Sequence, residues 1–245
     1  MNKIKTSAGH VTPSQAVPGT SRTLPLLQNG DRLTRTEFER RYTAMPRTKK
    51  AELIEGIVYM PSPVSCGGHG TPHFFASFWL GPYVVRTPGI TPADNSTVRL
   101  DLDNEPQPDL CLFIRQSHGG QSKLVDDFIE GAPEFVMEIS NSSVSIDLHA
   151  KFNAYRRNGV REYVVWRTAD EIVDWFVLRD ADYKKIEATS DGVLKSEVFP
   201  GLWLNAAALL KSDLIAVVKT VEEGLATQEH TAFVAKLQEN ASKLR

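Results

Sequence analysis

The sequence predicts a single α/β (α+β) domain, a central mixed β-sheet with helices packed on its faces. Three observations carry that expectation. A helix, a set of strands, a second helix and further strands follow one another along the chain. Segments 109–114 and 135–140 are nearly unbroken apolar runs, the pattern of central strands covered on both faces. A helical segment closed by Gly159 joins the second run to another apolar stretch at 162–166.

Taken in order, residues 1–30 are rich in Ser, Thr, Pro and Gly and read as a loose arm. Thr34 and Glu37 have capping-box spacing and open a helix over 35–44, stopped by Pro46. Residues 52–60 form a hairpin turning at Glu55-Gly56 and ended by Pro61 and Pro63. A helix over 69–83 tolerates Pro72 in its first turn and shows Phe74, Phe75, Phe78 and Trp79 as its apolar side. Segment 97–103 alternates apolar and polar residues, as a strand open to solvent on one face does. After the two apolar runs, a helix covers 147–158, and strands follow at 162–166, 171–178, 183–188 and 193–198. From about 205 onward the chain is helical. The apolar pattern Leu209, Leu210, Leu214, Ile215 and Val218 is either packed on its own domain or a docking or dimer surface. The division is an arm (1–30), a main domain (31–210) and a helical extension (211–245).

The 245 residues are 41% hydrophobic and 24% charged, enough for one well-buried core. With 28 Lys and Arg against 30 Asp and Glu, the net charge of −2 excludes a protein that coats nucleic acid through overall charge, though not a local basic groove. No apolar run is long enough for a membrane helix, and residues 1–30 lack the apolar stretch of a secretory signal. Cys66 and Cys111 make neither a disulfide framework nor a zinc spacing. A cytoplasmic protein with reduced thiols is the expectation.

Two carboxylates sit where aliphatic residues would be expected, Glu138 inside 135–140 and Asp109 at the head of 109–114. A buried lone carboxylate costs several kcal/mol unless it is paired, protonated or bound to a metal. Two on neighbouring strands repel each other, and a divalent cation such as Mg²⁺ relieves both costs. On the following helix, Leu148, Phe152 and Tyr155 face the sheet, which leaves Lys151 roughly 60° away, able to reach back toward Glu138. Arg156, Arg157 and Arg161 add positive charge nearby. Carboxylates for a metal and a cation for developing phosphorane charge are what metal-assisted phosphodiester cleavage needs. His69 and His73 have a chelating i,i+4 spacing but no obvious third ligand, so His69 is expected at the edge of the site. Asp147 reads as a first-turn acid that could orient Lys151, and Tyr155 as core.

Pro108-Asp109 followed 29 positions later by Glu138 resembles the PD-(D/E)XK nuclease signature. Glu52-Leu-Ile-Glu-Gly56, Met60-Pro-Ser-Pro63, the stretch 131–138, Asp147-x-x-x-Lys151-x-x-x-Tyr155, the stretch 159–166 and Pro200-Gly-Leu-Trp-Leu204 together resemble the Uma-type restriction-endonuclease family over about residues 32–210. That resemblance implies a restriction-endonuclease-like sheet core, Mg²⁺ (with Mn²⁺ as a substitute) and cleavage of DNA. It departs from the superfamily pattern at Ser140, where the lysine normally stands, and agrees with the subgroup in placing that lysine at Lys151. It also implies Glu52 as a third acidic group, with Glu55 at the hairpin turn the weaker alternative. Asp109, Glu138, Lys151 and Glu52 are thus the expected catalytic set, the three acids as metal ligands, with His69, Arg156 and Arg157 contacting substrate. A homodimer suits double-strand cleavage. The alternative is a nuclease fold that no longer cleaves and acts in nucleic-acid binding or protein interaction. No nucleophile elbow, Walker loop or dinucleotide motif is present to suggest other chemistry.

Overall fold

The computed structural model describes residues 24–48, 50–61 and 63–243. Helix α1 (Arg35–Thr43) leads to the hairpin β1 (Glu52–Ile54) and β2 (Ile57–Tyr59), and a π-helical turn (Cys66–Gly70) runs into α2 (Thr71–Arg86). Strands β3 (Ile90–Asp94), β4 (Val98–Arg99), β5 (Leu110–Ile114), β6 (Lys123–Val125), β7 (Phe128–Glu130) and β8 (Phe135–Ser140) follow. A second π-helical turn (Ile146–Lys151) continues as α3 (Phe152–Asn158). Then come β9 (Glu162–Arg167), β10 (Ile172–Arg179), β11 (Asp182–Lys185), β12 (Val193–Lys195), β13 (Trp203–Asn205), α4 (Ala206–Leu210), α5 (Leu214–Leu225) and α6 (Gln228–Lys243).

Six strands form the central sheet in the order β11-β10-β9-β8-β5-β3. Its β8–β9 pair is parallel and its other pairs are antiparallel, so the sheet is mixed, as expected. The apolar runs do become central strands: β5 and β8 are buried at every residue. Strand alternation then sorts their side chains. Phe135, Met137 and Ile139 of β8 join Leu112 and Ile114 in a large core beneath α2, α4, α5 and α6. Val136, Cys111 and Phe113 point to the opposite face, where Tyr155, Phe152 and Leu148 of the α3 region pack. Glu138 and Asp109 share the parity of Val136 and Cys111, so both belong to the α3 face. A third small core of Leu27, Phe38, Ala51, Leu53 and Val58 holds α1 onto the hairpin.

Several sequence expectations need correction. Thr34 makes no side-chain cap, because Glu37 is drawn instead to Arg40 and Arg41 at 2.7 and 2.6 Å. On α2 the buried stripe is Ala76, Trp79, Leu80 and Tyr83, at helical spacing, so Phe74 and Phe78 face outward. The expected strand over 97–103 shrinks to Val98–Arg99, because the Asp101 carboxylate accepts from the Asp103 and Asn104 amides and turns the chain, leaving Leu102 exposed. Residues 1–23 of the arm lie outside the described residues, while Leu27 is buried and Gly30 donates its amide to the Val58 carbonyl. The helical extension is not separate from the main core. Val217, Val221, Leu225 and Leu237 are buried in it, so that face of α5 packs within the chain, while Ile215 stays exposed. Its approach is close: a Cβ on Gly224 would lie 2.2 Å from the Gly201 carbonyl oxygen.

Candidate active site

Strands β5 and β8 pair only as far as Leu110 opposite Met137, and then separate. Asp109 causes that separation in part. Its Oδ2 accepts a hydrogen bond from the Ile139 amide at 2.8 Å, taking the place of a ladder bond. The same oxygen accepts from His69 Nε2 at 3.2 Å, and His73 Nε2 donates to the Asp109 carbonyl at 3.1 Å. The first π-helical turn and the start of α2 thus brace Asp109, with Ser65 capping the turn by accepting from the Gly68 amide. Lys50 Nζ lies 3.7 Å from Oδ1. Burial opposes the Asp109 charge, but the His69 hydrogen bond, Lys50 and the Ile139 amide together hold its carboxyl down at about 2.

Across the gap, Lys151 is buried and its ammonium lies 2.9 Å from Glu52 Oε1 and 3.0 Å from Glu138 Oε1. Asp147 Oδ1 is 3.8 Å away. The π-helical turn that carries Asp147 and Lys151 is wider than an α-helical one, a distortion frequent at functional sites. Ser140 and Ser143 hydroxyls donate to Asp147 Oδ2 and tie that turn to the end of β8. Glu52 Oε1 also accepts from the Gln107 amide at 2.8 Å, and Tyr155 Oη donates to Glu138 Oε1 at 2.8 Å. Burial pushes the Glu138 carboxyl up to about 8; Lys151 opposes the rise, but Asp147, Asp109 and Glu52 add to it. Burial likewise works against the Lys151 charge, yet Glu138, Glu52 and Asp147 hold the ammonium well above its ordinary value.

These groups form the floor of a cavity of about 460 Å³, walled by residues within 59–61, 63–65 and 139–146. The structure therefore brings together Glu52, Asp109, Glu138, Lys151 and His69. It does not bring in Arg156 or Arg157. Arg156 donates to the Ala181 carbonyl and Arg157 pairs with Glu55, and neither lines the cavity. The Arg157 pair also makes Glu55 the turn acid that its place in the hairpin suggested. Three participants were assigned lesser roles or none by sequence reasoning: Tyr155, Asp147 and Lys50. The signal for the first two was present, since they stand four residues either side of Lys151. Lys50 stands two residues before Glu52.

The donor set suits a hard divalent cation, with four carboxylates (Glu52, Asp109, Glu138, Asp147) lining one cavity with two lysines and a histidine. Among the described residues no three acidic, histidine or cysteine side chains already stand as a ligand cluster. The Lys151 ammonium lies between two of the candidates, so an ion would have to displace it from Glu52 and Glu138.

A family model described as "Uma2: Putative restriction endonuclease" matches residues 35–207. No curated protein matches the chain. Among solved structures, the chain is similar to one titled a "putative nuclease belonging to DUF820" from Anabaena variabilis ATCC 29413. The two share 13% identity at a TM-score of 0.51, with 74% of this chain and 97% of that one covered. The likeness shows a shared fold.

Proposed function

Because the chain belongs to the Uma2 family, whose model spans residues 35–207, we propose that the cavity between β5 and β8 is the centre of a Mg²⁺-dependent endonuclease that hydrolyses DNA phosphodiester bonds. One observation supports this above the others: a buried lysine is drawn between Glu52 and Glu138, with Asp109 across the strand gap. Asp109, Glu138 and Glu52 would hold Mg²⁺ or Mn²⁺. When bound there, such an ion supplies Lewis acidity toward water and a phosphoryl oxygen.

The chain's own groups do the rest. Asp109 is held ionised at about 2, so it is a ready anion at neutral pH. Tyr155 Oη fixes Glu138 Oε1 and so sets the rotation of that carboxylate. Lys151, whose ammonium Glu138, Glu52 and Asp147 hold well above its ordinary value, would keep its proton and offer Nζ to the charge that develops on the phosphate, an electrostatic role. Asp147, anchored by Ser140 and Ser143, holds the turn from which Lys151 reaches. His69 donates to Asp109 and keeps that carboxylate aimed at the gap.

The test is cleavage of supercoiled and single-stranded DNA with Mg²⁺, with Mn²⁺ or with EDTA, beside Asp109→Asn and Lys151→Met. Metal-dependent nicking abolished in both variants is the expected result. No cleavage, or cleavage both variants retain, would favour the non-cleaving module.

A further inference from the structure

We propose that the cavity takes single-stranded DNA, gripped through bases and sugars more than through phosphates. This rests on the nuclease reading above and names its substrate form.

Charge is the first argument. Duplex binding draws most of its affinity from lysines and arginines set along the phosphate backbone. Among the described residues lining the cavity, no arginine appears, and Lys50 and Lys151 face four carboxylates. Both lysines are already engaged, Lys50 with Asp109 and Asn95, and Lys151 with Glu52 and Glu138. The arginines of α3 and the loop after it are committed elsewhere: Arg156 to the Ala181 carbonyl, Arg157 to Glu55 and Arg161 to Gln121. Among the described residues lining the cavity, a long rigid backbone therefore meets two lysines, both already engaged.

Depth and wall chemistry agree. Glu52, Asp109, Glu138 and Lys151 are each 5% exposed or less, at the floor of a cavity of about 460 Å³. That is the size of a small-molecule site. An unpaired strand brings one phosphate down to sunken carboxylates at less deformation cost than a stiff duplex does. One wall offers Tyr59, Met60, Pro63 and the exposed Val64, which are faces for a nucleobase. The other offers Asn141, Ser142 and Ser143, short polar groups suited to base edges and sugar ring oxygens. Base stacking on an aromatic ring tolerates any sequence.

The experiment uses the full chain with a fluorescent single-stranded oligonucleotide and a hairpin duplex of the same sequence. Anisotropy is read with Ca²⁺, and cleavage in parallel with Mn²⁺. The single strand should bind at least about tenfold tighter, the equivalent of one stacked base. Its affinity should fall by less than about tenfold between roughly 50 and 200 mM salt, as for contact with one or two phosphates. Tyr59→Ala should lose about tenfold on the single strand and Tyr59→Phe should restore it. Val64→Ser, at an exposed rim position that the fold does not need, should lose several-fold. Duplex binding as tight as single-strand binding, no binding of either form, or indifference to both Tyr59→Ala and Val64→Ser overturns the inference. Preferential single-strand binding with no cleavage of any DNA supports the substrate form and sinks the nuclease reading; efficient duplex cleavage does the reverse.

Discussion

Replacing Lys151 by methionine removes the ammonium that stands 2.9 Å from Glu52 and 3.0 Å from Glu138, in a site where all three side chains are almost wholly buried. Methionine fills similar volume, so the packing loss is small and the cost is electrostatic. Breaking a buried ion pair by deleting one partner costs about 3–5 kcal/mol. For a chain of this length that lowers the melting temperature by roughly 6–20 °C. The loss has a pH signature. Glu138 is already raised from 4.5 to about 8, and without Lys151 its proton is held more firmly still. A carboxyl whose folded pKa exceeds its unfolded value binds more protons in the folded state, so the variant is most stable below about pH 4.5 and loses stability as pH rises through the folded value. The deficit relative to wild type should hold steady between about pH 5 and pH 7, where both folded proteins keep the Glu138 proton, and widen above about pH 8, where wild type alone gives it up. If the cavity holds a divalent ion, Mn²⁺ at about a hundred times its Kd should return about 2.7 kcal/mol to the variant. Urea unfolding at about pH 6 and about pH 9 in EDTA, and at about pH 6 with Mn²⁺, reads all of this. A deficit equal at both pH values, or below about 1 kcal/mol at both, would refute the reasoning.

Other expectations follow from separate parts of the molecule. Glu162, at the start of β9, accepts hydrogen bonds from Ser196, Glu197 and Val198 just after β12, yet burial raises it to about 7. It therefore contributes stability that is present below its unfolded value of 4.5 and is lost as pH rises through 7, and Glu162→Gln should flatten that stretch of the stability–pH curve. Tyr155→Phe should cost about 1 kcal/mol of stability and weaken Mn²⁺ binding about tenfold by calorimetric titration, because it frees Glu138 to rotate. Gly224→Ala should destabilise by about 1–3 kcal/mol despite the better helix propensity of alanine, since the new methyl meets the Gly201 carbonyl; thermal melting decides it. Trp79→Ala, which empties the space between Phe135 and Trp175, should cost about 3–5 kcal/mol in urea unfolding.

Asp109 and Glu138 were legible because a charge inside an apolar run is costly enough to demand a reason, and Lys151 because helical spacing placed it beside a buried stripe. The central strands were legible for the matching reason, that only a strand covered on both faces can be apolar throughout. Glu52 was not readable from pattern, since a glutamate before a hairpin looks like any solvated acid; only the resemblance marked it. Tyr155 looked like core and is core along most of its ring, and its role lies in one hydroxyl whose target no periodicity encodes. Arg156 and Arg157 misled because they are close in sequence to Lys151. At about 100° per residue they fall roughly 140° and 240° around the helix from it, on the outer side. Phe74 and Phe78 misled because hydrophobicity alone does not choose between two adjoining helix faces.

The hydrogen bond from the Ile139 amide to Asp109 makes that acid a wedge as well as a ligand candidate. The carboxylate keeps two neighbouring strands forked, and the fork is the mouth of the cavity. Truncation to alanine would therefore remove a charge and also orphan a buried amide, so lost activity in Asp109→Ala would count architecture as chemistry. Asparagine preserves the acceptor and separates the two. The same constraint reaches into descent: a relative that abandoned cleavage but kept the cavity for binding would be expected to carry an acceptor here, Asn or Ser, and not an aliphatic side chain.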